Sequence, residues 1–149
     1  MAAAALLSSP LAFSQSSNFL TLVAPPKLAV GAAQTAIAPL KVQLRTGYNV
    51  NSHTPREAYL IPLRLSWEAA PLEVALIKYP EPHDEKYEFS EKPLSVFTGD
   101  FEIVTVFRVP PDAPKGARIA AGKLRYQACT TTTCFPPRTA EVKLPVEIR

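Results

Sequence analysis

Cys129 and Cys134 are the only cysteines among 149 residues, and they are separated by four threonines. They sit in Tyr126-Gln127-Ala128-Cys129-Thr130-Thr131-Thr132-Thr133-Cys134-Phe135-Pro136-Pro137. Such a spacing suits a tight hairpin loop. Residues facing each other across an antiparallel pair lie about 4.5–5.5 Å apart at Cα, inside the roughly 4.4–6.8 Å window of a disulfide. Three chemistries are open to the pair on spacing alone: a structural bridge, thiol–disulfide exchange, or metal binding. Metal binding is the weakest, because two cysteines with two distant histidines, His53 and His83, make a poor zinc set. A bridge between two lone cysteines in an exported β domain is commonly a staple. Closing a ring of about six residues, however, stabilises by only about 2 kcal/mol in the loop-entropy picture.

The strands that must position the pair are legible in the alternation of residue types. In Lys123-Leu124-Arg125-Tyr126-Gln127-Ala128-Cys129 the even positions are apolar and the odd ones polar. Strict alternation then places Cys129 on the solvent face, where exchange chemistry needs a sulfur to be. Downstream, Ala140, Val142, Leu144, Val146 and Ile148 alternate with Glu141, Lys143 and Glu147 as the closing strand. Direct pairing of Cys129 with Cys134 would set apolar Leu124 opposite polar Thr139. The register must therefore shift by one residue, and Pro136-Pro137 is the expected bulge.

These residues carry a resemblance. The run Leu124-Arg125-Tyr126-Gln127-Ala128-Cys129, a short loop, and then Cys134-Phe135-Pro136-Pro137-Arg138-Thr139 with a closing Val/Leu strand resembles the amino-terminal periplasmic domain family of the thiol:disulfide interchange protein DsbD. The match is specific over about 25 residues and looser upstream, at Gly47-Tyr48 through Ser52 and Ser90 through Phe101. The resemblance implies an immunoglobulin-like sandwich that relays electrons between a thioredoxin-like donor and other periplasmic oxidoreductases through a transient mixed disulfide. Carried over by position, Cys134 is the exchanging sulfur and Cys129 its resolving partner, with no cofactor and no metal. A segment capping the pair corresponds to Phe89 through Phe97, with Leu94, Phe97 or Phe89 as lid residues. Two departures are visible: the loop has four residues rather than five, and Asn49 and Asn51 stand where the family's tyrosines are expected.

The rest of the chain supplies the scaffold. Thr35 to Thr46 has strand composition, and Gly47 to Pro55 has turn chemistry that includes His53, a loop histidine available as a proton donor. Tyr59, Ile61, Leu63, Leu65 and Trp67 predict a strand with one buried face and Pro62 at an edge. Leu72 to Tyr79 predicts another strand, with a bulge near Lys78 where the phase slips. Pro80 to Lys86, containing His83 among acidic residues, reads as a solvated loop. Phe101, Ile103, Phe107 and Val109 continue the pattern up to the connection at Pro110–Gly116.

Six or so short strands, no 3.6-residue periodicity, and sixteen prolines against five glycines predict an all-β sandwich. With the resemblance, the expected fold is an immunoglobulin-like antiparallel β-sandwich over 27–149, started by Pro25-Pro26. Residues 1–26 hold no charge, and Ala12-Phe13-Ser14 offers a small-x-small cleavage site. The segment reads as signal-peptide-like or disordered, and predicts a periplasmic or otherwise exported protein. The net charge of +3 is scattered, which leaves no footprint for nucleic acid. No run of 18 apolar residues predicts a membrane span, and a monomer is expected. Phosphate loops, Ser/His/Asp sets and paired carboxylates are missing from the sequence. Two functions remain: a thiol:disulfide exchange module, and an immunoglobulin-like binding or assembly domain with an inert disulfide.

Overall fold

The computed structural model describes residues 14–16 and 19–149, and these contain strands and no helix. In chain order the strands are β1 (Ser14–Ser16), β2 (Leu20–Val23), β3 (Leu28–Val30), β4 (Thr35–Leu44), β5 (Asn49–Asn51), β6 (Arg64–Glu68) and β7 (Glu73–Lys78). They continue with β8 (His83–Glu85), β9 (Leu94–Thr98), β10 (Asp100–Arg108), β11 (Gly116–Tyr126), β12 (Ala128–Cys129) and β13 (Arg138–Ile148). One sheet runs β1-β2-β4-β10-β7 and a second runs β3-β13-β11-β6. All pairings are antiparallel except β3 with β13. This is the immunoglobulin-like sandwich expected.

Alternation builds the core between these two sheets. Along β4, Ala36, Ala38, Leu40 and Val42 are buried while Thr35, Ile37, Pro39 and Lys41 are exposed. Their partners include Ile103 and Phe107 of β10 and, from the facing sheet, Leu124, Val142, Leu144 and Val146. Trp67 packs against both halves of this core, and its indole Nε1–H donates to the buried Thr105 Oγ1 at 2.9 Å, tying β6 to β10 across the sandwich. Gly122 makes room for it, since a Cβ there would lie 2.7 Å from Val142 and 2.8 Å from the Trp67 ring.

A third, smaller sheet, β12-β5-β9-β8, carries Cys129, and Cys134 bridges to it from outside the strands. It is made where strands leave the two main sheets. Chain from β4 enters β5 after Gly47 (φ 90°), and β9 passes into β10 at Gly99 (φ 67°), two positions where positive φ favours glycine. Chain from β11 enters β12 after Gln127.

Several expectations need correction. The folded body does not begin at Lys27: β2 pairs with β4, and Phe19, Leu20 and Leu22 are buried in the core. Most of the leader-like segment, including Ala12 and Phe13, lies outside the described residues, although Ser14 pairs with Val23. The Tyr59–Trp67 strand is shorter than its alternation suggested. It starts at Arg64, and Tyr59 is exposed because an irregular segment precedes it. As expected for Pro62, β6 is an edge strand. The irregularity in β7 falls at Ala75 rather than Lys78, because Val106 faces Leu76 while Phe107 faces Val74. His83 lies in a short strand rather than a loop, bonded to Glu85 and Thr98.

Candidate functional site: a one-sided disulfide

Cys129 and Cys134 are bonded, with Sγ atoms 2.09 Å and Cα atoms 4.0 Å apart. The four threonines close the hairpin with their own polar groups. Thr130 N–H donates to Thr133 O at 2.8 Å, and Thr130 Oγ1 accepts from the N–H of Thr132 and of Thr133. This is the local side-chain competition that makes threonine a turn residue.

The register shift occurs where the prolines were expected to cause it. Leu124 faces Ala140 and Tyr126 faces Arg138 along β11 and β13, yet Cys129 bridges Cys134 and Phe135 N–H donates to Ala128 O. One residue, Gln127, thus opposes two, Pro136 and Pro137, neither of which has an N–H to leave unpaired.

That bulge also overturns the expected exposure of Cys129. The alternation of β11 ends at Tyr126, and the chain resumes in β12 against a different sheet, so Ala128 and Cys129 are both buried. Cys129 has no solvent exposure, whereas Cys134 retains some. The two halves of the bridge therefore differ in burial, Cys129 fully enclosed and Cys134 half-buried.

Buried amides hold the loop from beneath. Asn49 Nδ2 donates to Cys129 O at 3.1 Å. Asn51 Nδ2 donates to Gln127 Oε1 at 2.9 Å and to Ile61 O at 3.1 Å, while Gln127 Nε2 donates to Phe135 O. Ile61 N–H also donates to Gln127 Oε1. From the side, Phe135 packs with Phe19 (centroids 5.1 Å) and Tyr48 (6.2 Å), and the Arg138 guanidinium lies 4.7 Å over the Phe19 ring. Phe135, the residue after Cys134, is therefore anchored in part by Phe19 of the leader-like segment.

Beside the loop lies an open cleft of about 640 Å³, lined by Arg45, Tyr48, Asn49, Tyr87, Asp100 and Thr131 among others. Burial, and then a hydrogen bond to Glu85, push the Tyr87 phenol above its ordinary pKa, so it faces the cleft as a neutral hydroxyl. Of the lid residues, Leu94 packs with Leu60, Tyr87 and Val96, and Phe97 belongs to the main core. Phe89 stacks on Tyr87 at 5.5 Å. The ring of His53 lies flat between Tyr79 (4.5 Å) and Phe97 (5.9 Å), so its packing is with the core aromatics and not with the thiols.

A β-sandwich that carries a short, partly exposed disulfide fits the class of thiol:disulfide exchange modules. The family described as thiol:disulfide interchange protein DsbD, N-terminal, matches residues 20–145, and the chain belongs to that family. Comparison with curated protein sequences finds no match. Among solved structures, the chain is similar to the N-terminal periplasmic domain of ScsB from Proteus mirabilis, with TM-score 0.62 and 11% identity over 91% of this chain. It spans half the length of that structure. It is also similar to the Neisseria meningitidis DsbD N-terminal domain in the reduced form, with TM-score 0.51 and 14% identity over 87% of this chain and 86% of the other. At these identities the structures speak for the fold. The matched family and the bonded cysteine pair support the exchange function.

Proposed function

We propose that this domain relays electrons in an exported, periplasmic setting, exchanging its Cys129–Cys134 bridge with thioredoxin-like proteins and acting as a monomer. The observation that carries the reading is the asymmetry of the bridge. Exchange proceeds by attack of a thiolate along the S–S axis, so the partner must reach one sulfur while the other leaves. Here Cys134 is the sulfur a partner meets, and Cys129, inside the protein, is the leaving group and later the resolving thiol. Prolines 136 and 137 interrupt the ladder between Phe135 and β13, and the neighbouring cleft gives room for a partner's chain.

One observation favours the alternative, an immunoglobulin-like binding domain with an inert staple: full burial of Cys129 is typical of structural bridges. The midpoint potential separates the two. Structural disulfides sit below about −300 mV. The exchange reading expects a higher value in glutathione buffers, with reduction by a thioredoxin-like donor. A value below that limit and no reduction by the donor would leave the staple.

A further inference from the structure

Asn49 and Cys129 are register partners on adjacent strands of the small sheet. Directly opposed residues have Cβ atoms about 4.5–5.5 Å apart on one face of the sheet. Both side chains are buried, at 4% and 0% exposure. The donation from Asn49 Nδ2 to Cys129 O fixes which end of the amide is which. The other end, Asn49 Oδ1, is buried and accepts no hydrogen bond from any described residue. A buried acceptor without a donor is unfavourable.

Exchange supplies the missing donor. A partner thiolate attacks Cys134 Sγ; the new S–S bond forms as the bond to Cys129 breaks, and its electron pair leaves on Cys129 Sγ. A thiolate without solvent is strongly disfavoured, so that sulfur takes a proton from solvent or from the partner's second thiol. The partner's second thiolate then attacks its own sulfur in the mixed disulfide, and Cys134 leaves and takes the second proton. The partner dithiol becomes a disulfide, and this domain gains two electrons and two protons. The new Cys129 Sγ–H is then a buried donor on the residue directly across the strand pair from a buried, unused acceptor.

We propose that Asn49 is a positioning residue for exchange, its Oδ1 receiving the Cys129 Sγ–H and stabilising the dithiol with the inner sulfur as a neutral thiol. This rests on the exchange reading above, but it is tested without any partner. In Cys134→Ala the only thiol left is Cys129, and its S–H stretch in the infrared reports hydrogen bonding directly. The expected band lies below that of a free thiol and rises when Asn49→Leu is added. In the intact pair, Asn49→Leu lowers the equilibrium constant for reduction about threefold, roughly 14 mV. It also lowers the thermal stability of the reduced form more than that of the oxidised form. A purely structural Asn49, acting through Cys129 O, would destabilise both forms alike and leave the equilibrium unchanged. That result, or a band unmoved by Asn49→Leu, overturns the proposal. Should the double variant not fold, a free-thiol band in Cys134→Ala alone overturns it. A failure of exchange itself would appear instead as the absence of any trapped partner, with the infrared result intact.

Discussion

Cys129 and Cys134 share one bond but not one environment: the first is buried in β12 opposite Asn49 of β5, and the second, across the base of the threonine loop, is only half-buried. Under the proposed function, attack on the bridge is expected at Cys134. We expect Cys129→Ala to trap a mixed disulfide with a thioredoxin-like partner through Cys134, and Cys134→Ala to trap little. Mass spectrometry of the covalent adducts checks this. Equal trapping by the two variants would mean that the inner sulfur is reachable and that the division of roles is wrong.

The fold itself is expected to survive loss of the bridge. The ring is small, and the core between the main sheets is carried by residues such as Leu40, Ile103, Phe107, Leu124 and Leu144. Replacing both cysteines by alanine is expected to remove about 2 kcal/mol and leave a cooperative unfolding transition. Urea denaturation followed by circular dichroism measures it, and a double variant already unfolded in buffer would make the disulfide a staple.

Where alternation ran unbroken, the sequence could be read well. Ile103 and Phe107 of β10 are buried, as is Val109 just beyond its end, and so are Val142, Leu144, Val146 and Ile148 of β13. The register shift at Pro136-Pro137 was legible because two pairings conflicted, Leu124 with Thr139 and Cys129 with Cys134. The exposure of Cys129 was misread for a related reason. A bulge resets the phase, and Gln127, polar and on the expected wet face, gave no sign that it turns inward to bond Phe135 O and to meet Asn51. Phe19 was missed because a charge-free stretch looks alike whether it is a leader or the first core strand. Asn49 and Asn51 sat in a run of turn residues, and only pairing with β12 and β9 shows them to be a buried strand.

The stacked His53 makes stability depend on pH. Burial between aromatic rings lowers its pKa below 6.5, opposed by Glu81 and aided by Arg64. The folded protein then binds fewer protons at this site than the unfolded chain. Stability contributed by the neutral ring is present above the unfolded pKa and is lost as pH falls from about 6.5 toward the folded value. Replacing it with phenylalanine, which keeps the stack without titrating, is expected to flatten the midpoint of thermal unfolding between roughly pH 7 and 5. An unchanged slope in His53→Phe would assign the acid sensitivity to other groups.

Gln127 is the one residue opposite the two prolines, and its amide joins Asn51 and Ile61 on one side to Phe135 on the other. Removing it strands partly buried donors and acceptors in the bulge. We expect Gln127→Ala to destabilise by about 2 kcal/mol and Asn51→Ala by a similar amount, the usual consequence of leaving buried polar groups unpaired. Because the two share a bond of 2.9 Å, the double variant should lose less than the sum of the singles, with a coupling of about 1 kcal/mol. Urea unfolding of all four proteins, with the disulfide intact, gives the cycle. If the effects simply add, the amides support the loop separately, and the bulge is held by the prolines and the Phe135 aromatic cluster instead.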